Sequence, residues 1–427
     1  MHILFLSDNF PPEVNAPASR TFEHCREWVK AGHQVTVVTC APNFPKGRVF
    51  EGYRNRLWQS EVMDGIRVIR VWSYVTRNEG FAKRILDHTS YMMAATLASL
   101  FIRRVDVIIG TSPQFFTACA AWAVSALKRR PWIFELRDIW PESIRAVGAM
   151  RQSRVLDTLE KVELFLYRKA TAIISVTQAF KQNLVERGID AAKIHVVTNG
   201  VDASRFQPLP KDAALQQELG LEGKFVAGYI GTHGMAHGLG TLLDAAARLK
   251  AVPNGDVFRI ILLGDGATRA ALQARATAEG LDNVLFLDSV PKEEVPRYWS
   301  LLDASIVHLI RRKLFTTVIP SKIFECMAMA IPILHGVEGE SAEIVQTNGV
   351  GILFEPENGA ALAAILQQLH NDPDLRSRLA ASGPPAAHRY DRRRLASDML
   401  RIVEKCLPGA STRKPLNPER LSDDAAK

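Results

Sequence analysis

The sequence predicts an α/β protein built of two doubly wound domains that face each other across a cleft. The chain has 427 residues, too many for one ordinary hydrophobic core. Short β-branched runs alternate along it with stretches long enough for crossover helices. The alternation stops at a turn-rich segment, "NGVDASRFQPLP" (199–210), and then starts again.

In the first half, "HILFLS" (2–7), "QVTVVT" (34–39), "IRVIRV" (66–71), "VDVIIG" (105–110), "WIFEL" (132–136), "AIISVT" (172–177) and "IHVVTN" (194–199) read as strands. Several lack polar alternation, as parallel strands covered on both faces do. Crossover helices fit between them at 19–31, 84–101, 113–127 and 153–169. The second series is "KFVAGYIG" (224–231), "FRIILLGDG" (258–266), "NVLFLDS" (283–289), "ASIVHL" (304–309), "IPILHG" (331–336) and "GVGILFE" (349–355). With the hinge near 203–210, the expected units are a Rossmann-like domain over 1–203 and a second over 204–387. A helix over 388–408 is expected to pack back toward the first domain. The segment 409–427 has almost no apolar residues and reads as a disordered tail.

Composition is that of a globular protein, 47% hydrophobic and 23% charged. Lys and Arg number 53 against 45 Asp and Glu, a net +8, which suits anionic small molecules or anionic lipid and is too diffuse for a nucleic-acid partner. The five cysteines show no CxxC and no partnered histidine spacing, so neither a disulfide framework nor a zinc site is indicated and a reducing compartment fits. "MHILFLSDNF" meets Asp8 too early for a signal peptide. The longest apolar run, "YMMAATLASLFI" (91–102), has twelve residues and is stopped by Arg103 and Arg104. A bilayer span needs about 20.

Several common chemistries fail on inspection. A dinucleotide site needs glycines after the first strand, but that loop, "SDNFPPEVNAPAS" (7–19), has none, and there is no P-loop. "GDG" (264–266) is a lone GxG after a strand, equally a tight turn. "DPD" (372–374) reads as a helix start rather than a metal site. His233 and His237 are four apart, yet the glycines around them argue for a loop rather than metal ligands.

One stretch is anomalous. In "VIPSKIFECMAMAIPI" (318–333), Pro320 suits a first helical turn and Ile323, Phe324, Met327, Ala328 and Ile331 recur at helical spacing. Lys322 nevertheless sits at the positive end of that helix, where a cation is disfavoured. A surface pair with Glu325 at i, i+3 is the plain explanation. A bound anion is the other, and Arg311, Arg312 and Lys313 just upstream make the region cationic. Glu325, a turn inside, can accept hydrogen bonds from sugar hydroxyls.

"IPSKIFECMAMAIPIL" resembles the C-terminal signature of the family 4 retaining glycosyltransferases of the GT-B fold, especially the subgroup related to the fucosamine transferase WbuB. "KIHVVTNGVDASRF" is similar to the inter-domain segment, and "FELRDIWPESI" (134–144) to the N-terminal cleft motif. "DNFPPEVNAPASR" (8–20), "GYIGTHGMAHGLGTLLDAA" (228–246) and "ILLGDGATRAALQ" (261–273) match in order, so the likeness covers 1 to 405. It implies an acceptor-binding domain over 1–203, a nucleotide-sugar-binding domain over 204–387, a nucleoside-diphosphate sugar as donor substrate, no cofactor and no metal. Glu325 matches the second glutamate of the E-x7-E motif, which holds ribose hydroxyls, while the first falls on Thr317. Val318 to Ser321, with Pro320, would face sugar and pyrophosphate beside Lys322. The phosphate-binding Arg and Lys of relatives fall on Thr232 and His237, and these, with Gly231, His233, Gly264 and Gly266, are expected to bind the donor. Lys322, with Arg311 or Arg312, is then expected to supply the charge. The cleft histidine of relatives falls on Arg137, next to Asp138, and their Gly-Gly after the first strand on Asn15 and Ala16. Asp138 is the first side-chain candidate for polar catalytic work, with Arg137 beside it and Glu13 behind; an Arg137–Asp138 pair organising a loop is the alternative.

The implied reaction moves a glycosyl group, with retention, from a donor such as a UDP-N-acetylhexosamine or UDP-deoxyhexosamine to a polyprenyl-diphosphate-linked glycan in cell-surface polysaccharide synthesis. The segment 83–104, apolar between basic pairs, is either a buried crossover helix or a helix exposing apolar and basic surface to an anionic leaflet. Peripheral attachment of a cytoplasmic protein to the inner membrane is the expectation. The competing functions are a nucleotide-sugar 2-epimerase of the same fold and a non-catalytic nucleotide-sugar-binding scaffold, the latter prompted by Thr317.

Overall fold

The computed structural model describes residues 1–13, 15–44, 47–76, 81–139 and 154–407. Residues 140–144 of the cleft motif and the segment 409–427 lie outside the described residues. One sheet has eight strands: β1 (His2–Leu6), β2 (Gln34–Cys40), β3 (Trp58–Met63), β4 (Ile66–Val71), β5 (Val107–Thr111), β6 (Trp132–Leu136), β7 (Ala172–Ser175) and β8 (Ile194–Val196), in the order β3-β4-β2-β1-β5-β6-β7-β8. The helices among them are α1 (Ala16–Lys30), α2 (Phe81–Leu100), α3 (Phe115–Lys128), α4 (Arg154–Lys169) and α5 (Gln178–Glu186).

A second sheet has six strands: β9 (Phe225–Ile230), β10 (Phe258–Leu263), β11 (Val284–Leu287), β12 (Ala304–His308), β13 (Ile333–Gly336) and β14 (Gly351–Leu353), in the order β11-β10-β9-β12-β13-β14. It carries α6 (Ala213–Glu218), α7 (Gly240–Lys250), α8 (Arg269–Ala278), α9 (Val295–Trp299), α10 (Lys322–Ala328), α11 (Glu340–Thr347), α12 (Gly359–Asn371) and α13 (Pro373–Ala387). All its pairings are parallel. The first sheet is parallel apart from β3, which runs antiparallel on the edge against β4.

Each sheet has its core on both faces, which explains why β1, β5, β6 and β9 are buried along their whole length. In each sheet the strand order reverses once, between β1 and β5 and between β9 and β12. Ligand crevices form outside the strand carboxyl ends at such points. The loops carrying Glu13 and Asn15 follow β1, and those carrying Gly231 to His237 follow β9.

The last helix, α14 (Arg392–Lys405), returns to the first sheet. Its Leu395, Met399 and Val403 join the core of Trp28, Val35 and Ile66, and Trp28 Nε1 donates to the carbonyl of Ala396 at 2.8 Å. The two sheets also meet through charge. Lys292 Nζ reaches Ser19 Oγ at 3.1 Å, and Glu23 is paired with both Lys292 and Arg392. Glu340, at the start of α11, accepts from the amides of Gln178 and Ala179 at 2.9 Å each, so a carboxylate of one unit covers the positive end of α5 in the other.

Candidate active site

The loops after β9 and β10 are laced together. The His233 amide donates to the Asp265 carbonyl at 2.8 Å, and both the amide and hydroxyl of Thr268 donate to the His233 carbonyl, at 3.0 and 2.7 Å. Gly264 makes this approach possible: a Cβ there would lie 1.9 Å from the Gly231 carbonyl oxygen, and its φ of +142° disfavours other residues. Gly266 and His233 pack side by side, Gly231 is half-buried, and Thr232 is exposed. Under this pair of loops lies Tyr229, fully buried on β9, whose hydroxyl donates to the Thr232 carbonyl at 2.9 Å. The rings of His233 and His237 pack against it, with centroids 6.1 and 5.7 Å away.

Lys322 enters this place from α10. Its ammonium is buried 3.5 Å above the centre of the Tyr229 ring, next to Gly231, and has no hydrogen-bond partner among the described residues. Burial pulls its pKa down to about 7, against the opposing pull of Cys326 and Glu325. The surface pair with Glu325, the plain alternative to an anion, does not form: Lys322 Nζ has no hydrogen-bond partner among the described residues. Glu325 turns instead toward Trp299, whose indole Nε1 donates to it at 3.3 Å. Burial pushes the Glu325 carboxyl up, and the charges of Arg392, Lys292 and Lys322 pull against that. Glu325 therefore stands where α14, the loop of Lys292 and α10 converge.

The remaining candidates from the C-terminal half lie on the loops after β9 and β12 and before α10. Ser321 precedes α10 without a side-chain capping bond, and the Pro320 carbonyl accepts the Ile323 amide at 3.2 Å. The Thr317 hydroxyl donates to the Leu314 carbonyl at 2.7 Å. Arg311 is exposed and engaged by Glu338 and Glu355, at 2.9 and 3.1 Å. The His237 carbonyl accepts from His308 Nδ1 at 2.7 Å, while His308 Nε2 accepts from the Glu357 amide, and burial, with Lys322 nearby, lowers the His237 imidazole to about 4.

On the facing edge of the first sheet, Asn15 caps α1 through the Ala18 amide at 2.9 Å. The amides of Arg137 and Asp138 donate to Ser112 Oγ, at 2.7 and 3.2 Å, which ties the β6 loop to the end of β5. The Arg137 guanidinium reaches the Pro17 carbonyl at 3.2 Å, and burial lowers it to about 10. Glu13 is 3% exposed and accepts from the amides of Asn43 and Phe44, at 2.7 and 2.8 Å. Burial raises it to about 7.

Sequence reading did not single out Tyr229, Trp299 or Lys292, which hold and surround the two residues it did. A buried tyrosine inside a β-branched strand looks like ordinary core until the partner helix is placed.

Comparison with known proteins follows the same division. Residues 15–200 match the family described as glycosyl transferase 4-like domain, and residues 211–384 match glycosyl transferases group 1. The chain is 26% identical to WcaI of Escherichia coli, named as a colanic acid biosynthesis glycosyl transferase, across 86% of this chain and 92% of WcaI. Its fold is similar to that of Anabaena HepE in complex with UDP and glucose, with a TM-score of 0.71 at 20% identity over 94% of this chain and 98% of HepE. Sucrose-phosphate synthase from Thermosynechococcus elongatus superposes with a TM-score of 0.74 at 17% identity, covering 95% of this chain and 98% of that one.

Proposed function

Because the chain belongs to the GT-B glycosyltransferases that join a 4-like domain to a group 1 domain, we propose that it moves a sugar from a nucleoside-diphosphate donor to a hydroxyl of a polyprenyl-diphosphate-linked glycan, with retention of configuration, in cell-surface polysaccharide synthesis. The observation that carries the reading is Lys322. A buried ammonium with no hydrogen-bond partner among the described residues is costly. The Tyr229 face compensates by about 2 kcal/mol when desolvated, less than an anion would provide. A diphosphate placed between the loops of Gly231–His233 and Gly264–Gly266 would supply that anion.

In this reading Lys322 and the backbone of the two loops stabilise the departing diphosphate as its charge grows. Glu325 receives the ribose hydroxyls, while Pro320 and Ser321 line the pyrophosphate and sugar. Thr317 contributes no charge where relatives carry a glutamate. Arg311 is exposed and paired with Glu338 and Glu355, so the reading rests on the buried charge of Lys322. Asn15, Arg137 and Asp138 close the site from the other sheet. UDP is the favoured donor nucleotide, supported by the UDP bound in HepE, and polysaccharide synthesis by the likeness to WcaI.

The acceptor brings the membrane in. One face of α2 packs inward through Tyr91, Ala95 and Ala98, followed by Ile102 just beyond it, but Leu86, Met93, Leu97 and Leu100, followed by Phe101, form an exposed apolar stripe along the other. The stripe ends beside exposed Arg103, Arg104, Arg129 and Arg130. Apolar side chains next to arginines fit an anionic lipid surface. Among the described residues no helix is long and apolar enough to cross a membrane, so the attachment proposed is peripheral, on the cytoplasmic face.

Glu325→Ala tests the enzyme reading. Loss of both donor binding and sugar transfer supports it. A wild-type protein that binds donor and turns nothing over supports the scaffold instead.

A further inference from the structure

The first sheet ends on one side in a strand with a free edge. β3 pairs antiparallel with β4 and, among the described residues, with no strand on its other side. Val62 is 72% exposed, Trp58 40%, and Leu57, just before the strand, 80%. The register sets Trp58 beside Val71 and Ser60 beside Ile69, and Val71 and Ile69 belong to the core under α2 with Tyr91 and Ala95. Trp58, Ser60 and Val62 therefore lie on the face of the sheet that carries α2. Met63 packs on the opposite face, against the core of Trp28 and Ile66.

An exposed strand edge is a template for another strand, and proteins usually blunt it with lysine, proline or a bulge. β3, "WQSEVM", holds no lysine and no proline, and its register with β4 runs unbroken from Trp58 to Met63. Its single charged residue, Glu61, is neutralised by the buried Arg70 at 2.6 Å. The edge is left open.

The residues along the edge select its partner. Antiparallel pairing of two β3 strands about Ser60 sets Trp58 of each copy opposite Val62 of the other, Gln59 opposite Glu61 and Leu57 opposite Met63. An aromatic ring opposite a β-branched side chain is a favourable cross-strand pair. At the strand ends, exposed Arg56 comes opposite exposed Asp64 of the second copy, so the charges are complementary. Side-chain facing and backbone hydrogen bonding let the register slide only in steps of two residues. One such step sets Glu61 against Glu61 and Trp58 against Asp64. The opposite step sets Arg56 against Val62 and Glu61 against Leu57. The pairing about Ser60 is the self-complementary one.

We propose that β3 is the contact of a symmetric dimer, in which a second copy of this chain joins edge to edge and the two first sheets become one. The two-fold axis passes Ser60 along the sheet normal, so both copies of α2 stand on the same face and turn their apolar stripes to the same side. Two linked stripes hold one surface more strongly than a single stripe does. The pairing itself depends on neither the membrane nor the reaction.

Sedimentation equilibrium on the full chain tests it, together with cross-linking. The expected result is the mass of two chains at concentrations on the order of 10 μM, with dimer Kd at least about tenfold weaker in Val62→Lys and its circular dichroism that of wild type. Ser60→Cys, on the two-fold axis, should be linked to a second copy by a short bis-maleimide, whereas wild type, with its own cysteines buried or half-buried, should not. A monomeric wild type would overturn the proposal, as would a dimer that Val62→Lys leaves intact or that Ser60→Cys fails to link beyond wild type. A monomeric wild type whose binding to neutral phosphatidylcholine vesicles falls in Val62→Lys would assign β3 to the membrane surface instead.

Discussion

The ammonium of Lys322 rests 3.5 Å above the ring of Tyr229, although the residues are far apart in sequence and lie on α10 and β9. The tyrosine is itself fixed by its bond to the Thr232 carbonyl, so one side chain seats the cation and shapes the loop beside it. Replacing Lys322 with Met removes a charge-assisted contact worth about 1.5–3 kcal/mol. UDP affinity, read by calorimetry, is expected to fall by that amount while the protein stays folded.

The same lysine sets a pH dependence. Burial holds it at about 7 in the free protein, and an anion beside it favours the charged form. Below that pH the lysine is already protonated, and binding should not depend on it. Above it, binding must take up a proton, so affinity falls by up to about tenfold per pH unit. Calorimetry in buffers of different ionisation enthalpy should show proton uptake at pH 8 that disappears in Lys322→Met. Folding has the opposite slope: the unfolded chain binds more protons between about 7 and the ordinary lysine range, so stability rises with pH across that window.

Tyr229→Phe keeps the ring under Lys322 and loses the bond to Thr232. Its effect on chemical denaturation should be about 0.5–1.5 kcal/mol, with proton uptake on UDP binding retained. Tyr229→Leu removes the aromatic face as well and should lower UDP affinity further.

Glu325→Gln keeps an oxygen for Trp299 Nε1 and removes the charge. If the carboxylate holds ribose hydroxyls, Kd for UDP rises by a factor corresponding to about 1.5–3 kcal/mol, and uracil or diphosphate alone binds as before. Equal losses for diphosphate and UDP would place Glu325 outside the ribose site.

Membrane attachment predicts that Leu97→Glu with Phe101→Glu reduces co-sedimentation with anionic vesicles. Arg103→Glu with Arg104→Glu should weaken it by about 1 kcal/mol or more per arginine, and more strongly at low salt. Neutral vesicles should respond to the first pair and hardly to the second.

Much of the fold was legible because both sheets are parallel and buried, which writes continuous apolar runs into β1, β5, β9 and β10. The edge strand β3 was not, since "WQSEVM" has one face in solvent and alternates weakly. Lys322 stood out as a cation where the helix dipole disfavours one, and Glu325 through its position beside it. Their partners were invisible, because Tyr229 and Trp299 are brought there by tertiary packing and carry no local signature. Arg311 was singled out as part of a basic run, but the partners that occupy it, Glu338 and Glu355, come from later loops.

The most direct test is the release of nucleoside diphosphate from a panel of UDP-, GDP- and dTDP-sugars, with and without a membrane extract supplying polyprenyl-diphosphate glycans. The account predicts release that depends on one donor and on the lipid fraction, with labelled sugar appearing in the lipid. Measurable donor binding with no release from any pair would contradict it, and would leave a nucleotide-sugar-binding scaffold in which Thr317 stands for a lost catalytic glutamate.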